Sequence, residues 1–424
     1  MQSAEKGLFK LDDTLVSLAN DYLRAISNGT SDLIQLFGPE VKAVTVRQLL
    51  QMTAGLTEYD TANTRAYQNS HRQDDLTPMW VLNVANHTFR GKPGTCGLYS
   101  STNYVLLGLV AARFQHASSW DTLDQRAWTE RIPTDLPEVQ PGGSLKALYY
   151  GMHGPYSAFK TAVAADGTHA TVHGYQLPLD GTNCTTFLGC PALDVYTMSA
   201  SGGWTCGNLV STSTSVADFY WALLGPEREK YALLNDKTYA EMLDFKRHAY
   251  FSDDDLYHAF GYGLGVMDFT SMDWGFERHG TYYGHSGLTY GFGSQSGVNY
   301  KHNFSASWVS AAEIWIGPRP ESGQDVYLAL VYAIDKYRSG HDAVNDPAFH
   351  AIAIRRYILI CMMQQLVPKE ERHIPDDERT GTVVTVGELG MRKGLGGGEG
   401  RRTRRIPDDL VPMDDGSGDS DDRK

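Results

Sequence analysis

Ser3-Ala-Glu-Lys6 sets a hydroxyl and an amine three residues apart, which would put both on one face of a helix. A nucleophile and its proton acceptor need that kind of proximity. Further along, Gly284-His285-Ser286-Gly287-Leu288 approaches the G-x-S-x-G elbow of serine hydrolases, but Leu288 stands where the last glycine is required. His153, His169 and His173 share one loop region without the carboxylate spacing of a metal site, and read as ordinary loop histidines. The acidic runs Asp74-Asp75 and 253–255 read as solvated surface. No P-loop, H-E-x-x-H or G-x-G-x-x-G occurs, and no metal or organic cofactor is implied.

Four segments carry more information, because of their order. They are Gly7-Leu-Phe-Lys-Leu-Asp-Asp-Thr14, Val44-Thr-Val-Arg-Gln-Leu-Leu-Gln-Met-Thr-Ala-Gly-Leu56 and Pro93-Gly-Thr-Cys-Gly-Leu-Tyr-Ser-Ser-Thr-Asn-Tyr-Val-Leu-Leu-Gly108, followed by a glycine-punctuated group. That group holds Gly261-Tyr-Gly-Leu-Gly265, Gly284-His-Ser-Gly287 and Gly291-Phe-Gly-Ser294. In this order they resemble the β-lactamase-related serine hydrolases: class C β-lactamases, D-alanyl-D-alanine carboxypeptidases, related esterases and LACTB-like proteins.

The resemblance implies a mechanism. A serine opening a helix in an S-x-x-K motif attacks an amide, ester or lactam carbonyl and forms an acyl-enzyme. A tyrosine from a Y-x-N motif shuttles protons beside it. An H-x-G or K-T-G strand forms the opposite wall, and its backbone N–H completes the oxyanion hole. On this chain Tyr99-Ser100-Ser101 matches Y-x-N, with Ser101 in place of asparagine. Tyr99 is therefore the expected catalytic residue. Ser101 and the His285-Ser286-Gly287 motif are the expected substrate-binding residues, and a glycine at 287 would let a substrate approach the strand backbone. Tyr99 and His285 are expected on facing walls of one pocket. Met52 stands where many relatives carry histidine, in a segment read as structural.

The departure from the family lies at the start. The family's S-x-x-K serine precedes the Leu-Asp-Asp stretch by helical turns, whereas Ser3 is only eight residues before Leu11. Residues 1–7 resemble the end of that helix, so Ser3-Lys6 is set aside as a surface pair. The expectation is a chain truncated at its N-terminus relative to the family, without the first helix and strands and without the nucleophile. Its alternative is a binding or regulatory pseudoenzyme of the same fold.

The elements that must hold these residues divide into two textures. Residues 1–225 read as mostly helical with long loops, with apolar residues at helical spacing in 45–52, 103–114 and 215–224. Segments 260–269, 284–294 and 305–316 are aromatic, β-branched and punctuated by glycine, and read as antiparallel strands. Helices are expected at 325–337 and 348–367. The fold class that follows is α+β, β-lactamase/transpeptidase-like, with helices packed on an antiparallel sheet over residues 1–368 (1–225 helical and loop, 226–368 sheet and closing helices). The stretch 141–208 is expected to border the cleft. Residues 369–424 hold a glycine-rich run at 394–400, the basic cluster Arg401-Arg-Thr-Arg-Arg405 and an acidic end, and read as a disordered tail.

Composition bounds the partners. The 424 residues are 42% hydrophobic and 21% charged, ordinary globular values, and the net charge is −13. An acidic chain repels phosphate, which argues against nucleic acid. No run of about 18 apolar residues occurs, so no membrane span is expected. The expected partner is a small-molecule or peptide substrate. Five cysteines, Cys96, Cys184, Cys190, Cys206 and Cys361, form no C-x-x-C pair; two of the three at 184, 190 and 206 could bridge. Sequons at Asn28, Asn86, Asn183 and Asn303 tilt the reading toward a secretory or extracellular route.

Overall fold

The computed structural model describes residues 1–128 apart from 86, then 149–150, 152–155, 174–176, 193–211, 213–246, 248–250, 259–272, 280–289, 291–310, 312–313 and 331. Backbone contacts divide the chain into Met1–Gly390 and Met391–Lys424, and every described residue belongs to the first unit. The expected helix 348–367 and tail 369–424 lie outside the described residues, as does the expected helix 325–337 apart from Val331.

The chain opens with one helical turn, α1 (Gln2–Glu5). Gly7 ends it at φ +73°, where a side chain would be strained. The Leu8 N–H donates to Ser3 O at 3.1 Å and the Gly7 N–H to Ala4 O at 2.9 Å, which closes the turn as a Schellman motif. Helix α2 (Leu15–Ile26) is capped by Thr14 and buries Leu15, Leu18, Ala19 and Leu23, one apolar stripe at helical spacing. Buried Asn20 splices α2 to α3 (Leu33–Phe37): its amide donates to Asp32 Oδ2 at 3.0 Å and its oxygen accepts the Leu33 N–H at 2.8 Å. Helix α4 (Val46–Leu50) begins with a capping box between Thr45 and Gln48. Two short helices follow, α5 (Ala62–Ser70) and α6 (Pro78–Val84), each capped by the threonine before it.

The central element is α7 (Thr102–Phe114), which matches the expected 103–114 to within a residue. It buries Val105, Leu106, Leu109, Val110 and Ala112 and packs against α2 and α4. Gly108 is required on its other flank, where a Cβ would lie 2.2 Å from Thr205 Oγ1 and 2.6 Å from the Trp204 ring. That lets α8 (Trp204–Gly207) sit directly on the α7 backbone. Two more helices follow, α9 (Ser213–Leu224) and α10 (Asp236–Met242).

The main sheet is antiparallel, and across it the strands run in the order Phe304–Ser310 (β10), Phe292–Asn299 (β9), Tyr282–Thr289 (β8), Met267–Asp268 (β7), Phe260–Tyr262 (β6) and His248–Ala249 (β5). Two short strands, β1 (Tyr149–Tyr150) and β4 (Leu209–Val210), pair elsewhere, and β2 (Tyr175–Gln176) and β3 (Leu193–Asp194) belong to a small third sheet. The long strands of the main sheet are β8, β9 and β10, and α9 packs on β9 and β10.

The expected strands need subdividing. Segment 260–269 is a hairpin turned at Gly265 (φ +86°), and 284–294 spans the hairpin between β8 and β9, turned at Gly291 (φ +84°). Segment 305–316 splits into β10 and β11 (Ala312–Glu313), which leaves the main sheet to pair with β2. Asp75 also departs from its reading as solvated surface, because it accepts three hydrogen bonds from two other segments, from His153, the Gly154 N–H and the Ser199 hydroxyl.

Candidate functional site

Tyr99 sits on a short extended stretch just before α7. The Leu98 N–H donates to Met52 O at 2.9 Å and the Tyr99 N–H to Tyr250 O at 2.8 Å, so the stretch is held from both sides. The residues after it are bolted to segment 52–58. The Ser100 N–H reaches Met52 Sδ at 3.5 Å, and the Ser100 and Thr102 hydroxyls both donate to Thr57 O, at 3.0 and 2.9 Å. The Ser101 N–H donates to Glu58 Oε2 at 2.6 Å. The 52–58 stretch is therefore the seat of the Tyr99 turn.

On β8, His285 lies with its ring 6.0 Å from that of Tyr99, although 186 positions separate them in sequence. Tyr262 from β6 completes a triangle, with ring centroids 5.9 Å from Tyr99 and 5.9 Å from His285. His285 Nδ1 stands 2.6 Å from the Ser286 carbonyl, which only accepts, so Nδ1 carries the proton. Nε2 is then the acceptor for the Tyr262 hydroxyl, at 3.0 Å. Ser101 lies at the start of α7, two residues past Tyr99. The Ser286 hydroxyl is committed to Met267 Sδ at 3.4 Å. Gly287 is exposed further along β8. The structure thus brings Tyr99 and His285 together and keeps Ser101 on the same turn, while Ser286 points its hydroxyl to the neighbouring strand.

A profile of the family described as Beta-lactamase matches residues 1–330. The chain belongs to the beta-lactamase family. Its fold is similar to that of a D-stereospecific amidohydrolase from Streptomyces sp., with 23% identity, a TM-score of 0.51, and 74% of this chain and 77% of that chain covered. A D-amino acid amidase from Ochrobactrum anthropi SV3 matches at 22% identity and a TM-score of 0.44, covering 70% of this chain and 74% of that one. A penicillin-binding protein homologue from Pyrococcus abyssi matches at 18% and 0.49, covering 81% and 64%. No match is found among curated proteins.

Around Tyr99 and His285, burial governs the electrostatics. It pushes the Tyr99 phenol well above its ordinary value, aided by nearby Tyr104 and Glu58. Burial also lowers His285 to about 4, so its imidazole is neutral at pH 7. Tyr99 is then a proton donor, and its use as a base would require a cation beside it. Ser3 and Lys6 do not supply one. Their helix is docked elsewhere, with Gln2 bonded to Trp128 O and Leu233 O and Glu5 to the Asn235 N–H, and Lys6 is exposed.

Two residues of the site escaped the sequence reading. Tyr262 lies within Gly261-Tyr-Gly-Leu-Gly265, and a tyrosine between two glycines is the signal that could have marked it. Glu58 carried no signal. It is half-buried, accepts the N–H groups of Ser101 and Asp60 (2.6 and 2.9 Å), and burial raises its carboxyl to about 7.

Cys96 and Cys206 are free thiols; Cys206 is bonded to Gly203 O and Tyr59, so it does not form the bridge considered above, and Cys184 and Cys190 lie outside the described residues. His169 and most of 141–192 also lie outside them. Among the described residues, no group of three metal-binding side chains is placed to hold an ion, and no helix is long and apolar enough to cross a membrane.

Proposed function

We propose that this site serves acyl transfer from an amide, ester or lactam of a small molecule or peptide, by a serine acyl-enzyme route. The observation that carries this reading is the meeting of Tyr99 with the His285-Ser286-Gly287 strand across a 6.0 Å ring separation, inside a beta-lactamase-family domain. Tyr99 is the proton-transfer residue. It holds a proton that can be passed to a leaving group, and it would act as a base only once a lysine ammonium stands beside it. His285 is a neutral wall that orients substrate and Tyr99, with both nitrogens already engaged. Ser101 and Gly287 border the substrate on the two sides.

The amide class is supported by the D-stereospecific amidohydrolase whose fold this chain resembles. Glu58, a half-buried carboxylate behind the Tyr99 turn, suits a substrate that carries a cationic group. The nucleophile of this chemistry is a Ser-x-x-Lys pair facing Tyr99, a place that Ser3-Lys6 does not occupy. A fluorophosphonate probe is accordingly expected to leave the 424-residue chain unlabelled. It is expected to label a form extended by a helix that carries Ser-x-x-Lys ahead of α1, and Tyr99→Phe in that form should slow labelling by about 10²-fold or more. Labelling of Ser3 in the unextended chain would overturn the assignment.

The second reading, a binding or regulatory pseudoenzyme, draws on the full engagement of His285. It predicts that the extended form stays unlabelled yet binds an amide ligand in a Tyr99-dependent way.

A further inference from the structure

His153 stands between two carboxylates. Its Nδ1 is 2.7 Å from Asp75 Oδ2 and its Nε2 is 2.8 Å from Asp121 Oδ2. A carboxylate only accepts hydrogen bonds, so both ring nitrogens must carry protons for this geometry to hold. The ring is therefore an imidazolium. A neutral imidazole has one N–H, and its other nitrogen would turn a lone pair toward a carboxylate oxygen.

The clamp joins segments far apart in the chain. Asp75 precedes α6 and Asp121 follows α7. Asp75 Oδ1 also accepts the Gly154 N–H at 3.0 Å and the Ser199 hydroxyl at 2.6 Å. Ser199 opens a buried turn, Ala200–Gly203, that leads into α8. This turn is tied on its outer side by Ala200 N–H to Gly154 O (3.0 Å) and Leu76 N–H to Ser201 Oγ (2.7 Å). On its inner side the Tyr59 hydroxyl donates to Gly202 O at 2.8 Å, and Thr205 Oγ1 donates to Tyr104 O at 2.8 Å. Tyr59 adjoins Glu58, the acceptor of the Ser101 N–H, and Tyr104 lies in the first turn of α7. One buried turn thus spans from the clamp to the seat of Tyr99.

We propose that His153 is a positioning residue for the Tyr99 site: as an imidazolium it locks Asp75 and Asp121, and through the Ser199–Cys206 turn it holds the Tyr99–Ser101 wall in place. This rests on the reading of Tyr99–Ser101 as a wall of the site, but its test reads backbone amides and not turnover. The charged groups facing the ring are Asp75 and Asp121, with the Trp120 ring packed edge-on at a centroid separation of 5.1 Å and Tyr22 of α2 near Asp121. The two carboxylates raise the histidine above its ordinary 6.5 and are themselves held below 3.8. The lock is complete below pH 6.5 and is lost as pH rises through the raised histidine value. It is also lost at acid pH, as the two carboxylates take up protons.

The test is hydrogen exchange of the full chain, expressed as protection factors so that the intrinsic pH dependence divides out. The Ala200 and Ser101 amides report the outer and inner ends of the path. Between pH 5.5 and pH 9 their protection is expected to fall on the order of tenfold, a modest loss because the His153 side chain is 54% exposed. His153→Gln should show the low protection of Ala200 at both pH values and lose most of the pH response at Ser101. His153→Arg keeps a cation at the clamp that does not titrate, so it should show high protection at both. Protection that does not change with pH in the parent chain would overturn the clamp. A pH response of the parent's size retained in His153→Gln would do the same; Ser101 keeps only the smaller response of its acceptor Glu58, raised to about 7. A response at Ala200 without one at Ser101 would overturn the positioning role.

Discussion

Replacing Gly284 with alanine is expected to destabilise the chain by about 3 kcal/mol or more, whereas Gly287→Ala on the same strand should cost less than about 1 kcal/mol. The difference is a matter of what the new Cβ meets. At 284 it would lie 2.0 Å from Ser296 O and 2.5 Å from Gly297 Cα, both backbone atoms of β9. Strand β9 is paired on its far side to β10 from Phe304 to Ser310, so it cannot withdraw without breaking a second ladder. At 287 the only close atom is Ser294 Oγ at 2.8 Å, and a serine side chain can rotate away. Gly284 is also next to His285. A displaced β8 would carry the imidazole off Tyr262 and Tyr99. Urea unfolding of the two variants beside the parent chain measures the contrast, and a Gly284→Ala midpoint close to the parent's would show that β8 and β9 are not packed as described.

The close approach of β8 and β9 shows what sequence could and could not announce. Glycines at 284, 287, 291, 293 and 297 mark an aromatic, glycine-punctuated region as sheet, and the helix at α7 was legible to within a residue from its apolar spacing. Hairpin turns were not legible there, because Gly265 and Gly291 look like the other glycines until their positive φ is known. The pairing of Tyr99 with His285 was reachable only through the order of motifs, since periodicity carries no information over such a separation. Tyr262 was overlooked because its partner is a ring nitrogen on another strand. His153 read as a loop residue because its two partners lie 78 and 32 positions away, and spacing rules for ligand clusters see only local pairs. Glu58 is the clearest case. Leu56-Thr57-Glu58-Tyr59-Asp60 reads as any acidic loop, and what distinguishes the carboxylate is the burial that α7 and the Tyr99 turn impose on it.

That burial makes Glu58 the source of a measurable pH dependence. Its carboxyl titrates at about 7 in the folded chain against an ordinary 4.5, mainly because burial disfavours the charged form. A group raised on folding binds its proton more tightly in the native state, so its stabilising contribution is full below pH 4.5 and is lost as pH rises through 7. Glu58→Gln removes this group while keeping one acceptor oxygen for the Ser101 or Asp60 N–H. The unfolding free energy of the parent chain minus that of Glu58→Gln is expected to fall by about 1–2 kcal/mol between pH 4.5 and pH 8, less than full linkage would give because the residue is half-buried and partly screened. Taking the difference cancels the other titrating groups, among them Asp218, raised to about 6 by burial, and His153. Urea unfolding of both proteins at several pH values checks it, and parallel profiles would show an ordinary carboxylate at position 58. At neutral pH the residue would be divided between its two forms. Charged, it accepts the Ser101 N–H strongly and offers a negative wall behind Tyr99. Protonated, it keeps the backbone bond and loses the wall. The carboxylate that seats the Tyr99 turn would thereby make cation binding at this site favour alkaline pH, while leaving the turn itself in place.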